Sequence, residues 1–276
     1  MKTWNRNSFA FLLAVTMFFS GAPALVQGHA TSTLPTLFII GDSTVNNHTN
    51  GLLGWGDLIA AYFDKTRINV ENRARGGRSS RTYQAEGLWD QVLAAMKKGD
   101  FLLIQFGHND GGAVAEGSSR ASLRGVGEET QEVADDRTGK KEVVHTYGWY
   151  IRKYIADSRA KGVTPIVLSQ IPRNLWRDDR TVVRVSGDYG KWAAEAAKAE
   201  AASFVDLNEI VARQYEEAGP EKVKTLYFGE DHTHTTVAGA ELNAASVIAG
   251  LKSLKDCRLC AYLLTGTGPG KGAARN

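Results

Sequence analysis

The sequence predicts an α/β protein, a three-layer α/β/α sandwich around a central, mainly parallel sheet of about five strands. Three observations carry this expectation. Five short apolar runs recur along the 276 residues without apolar–polar alternation. Segments of helical period separate most of them. Runs buried on both faces and joined through helices belong to a parallel sheet covered on both sides. The composition is also globular, 43% hydrophobic and 23% charged, which excludes intrinsic disorder. The 29 glycines follow no G-X-Y repeat, and two cysteines cannot build a disulfide scaffold.

Taken in order, Leu37–Ile40 (LFII) reads as the first strand and ends at Gly41. A helical pattern covers Gly56–Phe63. Ile68–Glu71 reads as the second strand and Gly87–Lys97 as the next helix. Phe101–Phe106 (FLLIQF) is the third strand. Gly111–Lys141 is rich in Gly, Ser and charge and has no period, the mark of a functional or disordered connection. Val144–Ala160 reads as a helix and Pro165–Leu168 as the fourth strand. Tyr189–Ala202 is helical, Ser203–Leu207 is the fifth and shortest strand, and Val237–Leu251 is the last helix. The tail Thr265–Asn276 is of low complexity and is expected to be disordered.

Residues 1–30 read as a signal peptide. Lys2 and Arg6 precede an apolar core, Phe9–Phe19, which Gly21-Ala22-Pro23-Ala24 breaks; small residues follow at Gly28 and Ala30. The core is shorter than the roughly 20 residues a membrane-spanning helix needs. The expectation is an exported protein, secreted or periplasmic, without stable membrane insertion, whose folded domain spans residues 31–264. The chain carries 33 basic and 30 acidic side chains; Lys2 and Arg6 belong to the expected signal segment, which holds no acid. The remainder is close to neutral, so bulk charge gives no support to nucleic-acid binding.

Four segments can carry chemistry. Gly41-Asp42-Ser43-Thr44 follows the first strand and places Ser43 at its carboxyl end, where a nucleophile would sit; a helix cap or turn is the ordinary alternative. Asp231-His232-Thr233-His234 offers a base and its orienting carboxylate on one loop. A serine hydroxyl is weak until a base takes its proton, and imidazole needs a carboxylate to fix its tautomer. Asp231, His232 and His234 are also all metal-ligand types, but no second Cys/His cluster completes a site. Phe106-Gly107-His108-Asn109-Asp110 follows the third strand, and the Asn109 amide there is either an oxyanion donor or a turn residue. Asn72–Arg81 follows the second strand with Gly76, Gly77 and four arginines; it lacks Gly-Lys-Ser/Thr, so a P-loop is not supported. No Gly-x-Ser-x-Gly elbow occurs anywhere in the chain.

Together these four segments, in this order, resemble the SGNH (GDSL-like) hydrolase family. The wording "GDST", "NRARGGRSSRTY", "FGHNDGG" and "DHTHTTVAGAELNA" is similar above all to its rhamnogalacturonan acetylesterases. Glu142–Tyr150 and Pro165–Trp176 resemble bacterial members of that group, and the similarity runs over roughly residues 36–253. The resemblance implies a flavodoxin-like sheet order and a metal-free, cofactor-free serine esterase. It implies Ser43 as nucleophile, His234 as general base and then acid, and Asp231 as its orienting partner. It implies an oxyanion hole made by the backbone N–H groups of Ser43 and Gly77 and the side-chain amide of Asn109. It also implies an acetylated plant cell-wall polysaccharide, pectic rhamnogalacturonan, as substrate.

Galacturonate carries a carboxylate, which Arg binds in bidentate fashion, and aromatic rings stack on sugars. Arg78, Arg81 and Arg173, with Trp55, Trp149 and Trp176, are therefore candidate substrate contacts, against the ordinary expectation of solvated Arg and core Trp. Cys257 and Cys260 either close a small disulfide loop or stand as peripheral cysteines; the strand-to-helix context of a redox CxxC is absent. The acyl alternatives are another acetylated polysaccharide such as xylan, or a lipase or thioesterase. The polar character of Gly111–Lys141 disfavours a lipase lid. A non-catalytic polysaccharide-binding protein is the alternative outside catalysis.

Overall fold

A computed structural model describes Met1 and residues 34–115, 120–134, 139, 141–177, 180–184 and 188–265. Apart from Met1 and Thr265, the expected signal segment and tail lie outside the described residues.

The elements run β1 (Thr36–Gly41), α1 (Trp55–Leu58) continuing as a 3-10 turn (Ile59–Tyr62), β2 (Asn69–Asn72), α2 (Ser80–Ala85), α3 (Leu88–Ala95) and β3 (Phe101–Gln105). β4 (Thr130–Ala134) and β5 (Lys141–His145) follow, then α4 (Tyr147–Ala160), β6 (Thr164–Leu168), α5 (Tyr189–Ala199) and β7 (Ser203–Val205). α6 (Leu207–Ala218), the single turn α7 (Pro220–Lys222) continuing as a π-helical turn (Val223–Tyr227), and α8 (Val237–Ser253) complete the series, with a last 3-10 turn at Arg258–Tyr262. The central sheet has five strands in the order β2-β1-β3-β6-β7, and each neighbouring pair is parallel. This is the flavodoxin-like order that the family resemblance implied. The strand sequence reverses between β1 and β3, and open α/β sheets bind ligands at such a point.

The strands β1, β3 and β6 are almost wholly apolar and buried because helices cover both faces. Side chains alternate across a strand. Leu37 and Ile39 of β1 therefore join Leu103, Trp55, Val211, Tyr215 and Val247 in one apolar layer, under α1, α6 and α8. Phe38 and Ile40 join Leu102, Ile104, Trp89, Ile151, Tyr154 and Ala197 in the other, under α3, α4 and α5. Each Leu, Ile, Val or Phe among them, fully buried, contributes roughly 1.5–3 kcal/mol of transfer free energy.

Four differences from the sequence reading have local causes. Gly111–Lys141, expected as a functional or disordered connection without period, contains β4, which pairs antiparallel with β5 as a ribbon separate from the main sheet. The helix expected from Val144 begins at Tyr147, because Val144 and His145 belong to β5 and the Thr146 hydroxyl caps α4 by accepting Trp149 N–H. The fifth strand stops at Val205, and Asp206 caps α6 by accepting Glu209 N–H at 3.2 Å. That helix, and the short α2, lay outside the expected elements. Cys257 and Cys260 are joined by a disulfide, which selects the first of the two readings of that pair. No helix among the described residues is long and apolar enough to cross a membrane.

Candidate active site

The turn after β1 is held from below by a buried polar chain. The Asp42 carbonyl accepts the N–H groups of Val45 and Asn46, both at 3.1 Å. Its carboxylate accepts Thr44 N–H at 2.9 Å and Thr44 Oγ1–H at 2.7 Å. Gln105 at the end of β3 donates to Thr44 Oγ1 at 2.7 Å and accepts from Trp55 Nε1 at 2.8 Å. Nearby, Gly54 lets two backbone segments touch; a Cβ there would lie 2.2 Å from the Val45 carbonyl carbon. Ser43 is thereby presented at the sheet edge, neither buried nor fully exposed.

Its partner comes from the loop before α8. His234 Nε2 lies 2.8 Å from Ser43 Oγ. His234 Nδ1 lies 2.7 Å from Asp231 Oδ2. Asp231 Oδ1 accepts Thr233 N–H at 2.6 Å and His234 N–H at 2.7 Å. Burial pushes the Asp231 carboxyl up. The hydrogen bonds from the His234 ring and the two backbone N–H groups outweigh it and hold the pKa at about 2. The carboxylate is thus charged whenever an imidazolium forms beside it. The loop is pinned: Leu53 N–H donates to Thr235 O at 3.1 Å, Thr235 Oγ1 to Leu53 O at 2.9 Å, and Asn174 N–H to His232 O at 2.8 Å. Both nitrogens of His234 and both oxygens of Asp231 are engaged within this relay. Among the described residues no group of three or more His, Cys, Asp or Glu is arranged to hold a metal ion.

Opposite the relay stand the segments after β2 and β3. Gly76 and Gly77 line the same cavity as Ser43, Asn109 and His234, a cleft of about 810 Å³. A Cβ on Gly76 would come 3.5 Å from Ser43 Cβ, so this backbone runs beside the serine. Gly77 has φ +77, a left-handed conformation that a side chain would strain. The Asn109 amide donates to Arg78 O at 3.0 Å, which leaves its second N–H for another acceptor. Asp110 is fully buried behind this pair. Burial pushes its carboxyl up to about 7, although it accepts bonds from Ser80 and Ser122. Burial also holds His108, another cavity residue, below the ordinary imidazole range.

Of the expected substrate contacts, the cavity contains Arg173, which donates to His108 O at 3.3 Å. The others are placed elsewhere. Arg81 is buried and holds the Glu142 carboxylate with Nε and Nη2 at 3.0 and 2.7 Å, while Nη1 donates to Val114 O and Ala121 O. It fastens the insertion after β3. Arg78 pairs with Glu86 at 2.9 Å. Trp149 stacks on His145 at 3.7 Å, and Trp176 donates to its neighbour Asn174 at 2.6 Å while packing on the core. Trp55 is a fully buried core residue, and its indole N–H is used by Gln105. The sequence reading missed Arg120, which lines the cavity and donates to Gly77 O at 3.0 Å. It comes from the aperiodic Gly111–Lys141 segment, where no pattern marks it. Asn47, Thr49 and Asn50, which also line the cavity, follow Ser43 closely and were within reach of sequence reasoning.

Comparison with known proteins identifies the family. The GDSL-like Lipase/Acylhydrolase family matches residues 39–242, from β1 into α8. A rhamnogalacturonan acetylesterase of Emericella nidulans is 34% identical over 209 residues, covering 76% of this chain and 81% of that protein. The probable rhamnogalacturonan acetylesterase YesY of Bacillus subtilis is 30% identical over 224 residues, covering 79% and 93%. Among solved structures, the protein YXIM of Bacillus subtilis superposes with a TM-score of 0.65 at 25% identity. It covers 80% of this chain, which spans 56% of that one. With the parallel sheet, the ordered sequence blocks and a family match over most of the folded domain, the chain belongs to the GDSL-like lipase/acylhydrolase (SGNH hydrolase) family and is a carboxylic ester hydrolase.

Proposed function

We propose that the protein is an exported serine acetylesterase that removes O-acetyl groups from a plant cell-wall polysaccharide, pectic rhamnogalacturonan. The observation that carries the reading is the Ser43–His234–Asp231 relay opening into one cavity with Gly77 and Asn109. The relatives named rhamnogalacturonan acetylesterase support the substrate. The apolar segment after Lys2 and Arg6 supports export, with residues 1–30 removed, a catalytic domain over 31–264 and the tail 265–276 outside it.

In this reading Ser43 Oγ attacks the acetyl carbonyl carbon as His234 Nε2 takes its proton. Asp231 stabilises the imidazolium and keeps the ring oriented. Negative charge gathers on the carbonyl oxygen. The N–H groups of Ser43 and Gly77 and the free amide N–H of Asn109 receive it, each such donor being worth about 3–4 kcal/mol. The intermediate collapses, His234 returns the proton to the departing sugar oxygen, and an acetyl group remains on Ser43. A water then gives its proton to His234 and attacks the acetyl carbon, releasing acetate and restoring the serine. Arg173 and Arg120 place positive charge on the cavity wall, which suits a uronate-bearing chain.

The test is acetate release by the protein and its Ser43→Ala variant from acetylated rhamnogalacturonan, acetylated xylan and p-nitrophenyl esters of rising acyl length. The expected result is release from rhamnogalacturonan in preference to the rest, reduced at least several thousand-fold in Ser43→Ala. Ser43-dependent release mainly from xylan would keep the chemistry and overturn the substrate. Release unaffected by Ser43→Ala would overturn the mechanism.

A further inference from the structure

We propose that Asp110 is a positioning residue for the oxyanion hole, holding in one buried junction the three segments that carry Gly77, Asn109 and Arg120. The inference rests on the reading of Gly77 and Asn109 as oxyanion donors. Asp110 itself touches neither substrate nor Ser43.

The Asp110 side chain is fully buried and accepts three donors. Ser80 N–H and Ser80 Oγ–H come from the start of α2, three residues after Gly77; the N–H lies 3.1 Å from Oδ1. Ser122 Oγ–H comes from the insertion, two residues after Arg120, at 3.1 Å. The Asp110 backbone extends the junction: its carbonyl accepts Ser122 N–H at 3.1 Å, and its N–H donates to Gly107 O at 3.4 Å. Asn109 is its chain neighbour. The segments also bond to one another directly. Asn109 Nδ2 reaches Arg78 O at 3.0 Å, and Arg120 Nη1 reaches Gly77 O at 3.0 Å. Tyr154 OH donates to Ser80 O, which ties the junction to α4.

An apolar side chain of similar size would fill this place at a lower desolvation cost. What a carboxyl adds is direction. Its oxygens fix two hydroxyls and one N–H on separate segments, and those segments set where the oxyanion donors point. Donors act only when they lie about 2.7–3.1 Å from the developing oxyanion, and a misplacement of about 1 Å costs on the order of 100-fold in rate. Nearly all of the accepting is done by Oδ1, since Oδ2 receives only the longer Ser80 N–H contact at 3.3 Å. An asparagine whose carbonyl oxygen takes the place of Oδ1 therefore keeps the geometry.

The experiment measures kcat and KM of Asp110→Ala, Asp110→Asn and Ser80→Ala on a soluble acetyl ester. Thermal melting confirms that each variant is folded, and Ser43→Ala is run alongside. Asp110→Ala is expected to lose about 30- to 100-fold in kcat with KM within about threefold, the pattern of an interaction felt only in the transition state. Asp110→Asn is expected to stay within about fivefold of the parent. Ser80→Ala, which removes one of the three donors, is expected to lose several-fold in kcat. Folded Asp110→Ala with unchanged kcat would overturn the inference. So would a change confined to KM, or an Asp110→Asn variant as impaired as the alanine. If Asp110→Ala does not fold, an unchanged kcat in Ser80→Ala overturns it instead. Substantial turnover remaining in Ser43→Ala would mark failure of the underlying serine mechanism, a result distinct from all of these.

Discussion

Asp231 and Asp110 serve the same site from opposite environments. Asp231 stands on a surface loop with 49% of its side chain exposed, and its pKa lies at about 2. Asp110 has no exposed surface, and its pKa is pushed up to about 7. The number of donors does not separate them. Asp231 accepts the His234 ring and two backbone N–H groups; Asp110 accepts two hydroxyls and one N–H. What differs is water and charge. Partial solvation and an imidazole partner keep one carboxyl ionised, while full burial favours the proton on the other. The ionised aspartate can answer the charge of a forming imidazolium. The buried one is suited to holding shape.

The sharpest way to break this contrast is Asp231→Asn, which keeps the size and removes the charge. We expect kcat to fall by about 10³- to 10⁴-fold, the scale seen when a relay aspartate is neutralised in other serine hydrolases. Steady-state kinetics checks it, and a fall below tenfold would show that Asp231 needs no charge.

A second variant probes the junction from the side of the insertion. Arg81→Ala leaves the Glu142 carboxylate and the carbonyls of Val114 and Ala121 without their shared donor. Arg81 is buried but Glu142 stays 28% exposed, so the cost lies below the ~3–5 kcal/mol of a fully buried pair, at about 2–3 kcal/mol, and urea unfolding should show a loss on that scale. A loss below about 1 kcal/mol would place Arg81 among the weak surface pairs.

The smallest effect is the pH dependence of stability, where the two aspartates should act with opposite sign. Asp110 has a folded value above the ~3.9 of an unfolded aspartate. Its contribution is therefore fully present below about pH 4 and lost as pH rises through about 7. Asp231 has a folded value below the unfolded one; its contribution is present above about pH 4 and lost as pH falls toward 2. Asp42, Tyr147, Tyr150, Tyr154 and Tyr189 all interact electrostatically with Asp110 and belong to the same comparison. Unfolding free energies measured from pH 3 to 8 should lose their downward slope between pH 4 and 7 in Asp110→Asn and keep it in Asp231→Asn. Equal slopes in the two variants would contradict the contrast.

The same contrast marks how far the sequence could be read. The central strands were legible because burial on both faces leaves an unmistakable apolar run, as in Leu37–Ile40. The relay was legible because Ser43, Asp231 and His234 sit in short segments whose order matches a family pattern. The β4–β5 ribbon was not, because eight of its ten side chains escape burial, all but Val133 and Val144, and leave no apolar run. α6 hid its start because Leu207 extends the apolar run of β7, although Asp206 and Glu209 stand at capping positions. Arg81 defeated prediction for another reason. An arginine beside a family motif reads the same whether it meets solvent, substrate or a buried Glu142, and only the fold decides between them.

Ser43 and His234 are separated by 191 residues. In the proposed mechanism the nucleophile therefore leaves the ribosome well before its base. At about 5–20 residues per second, a growing chain carries Ser43 alone for roughly 10–40 s. During that interval it can bury β1, β3 and β6 against one another, yet it has nothing to take the serine's proton. Under the proposed mechanism esterase activity waits until His234 has been made, and a fragment that ends before His234 is expected to be inert however well its sheet has formed.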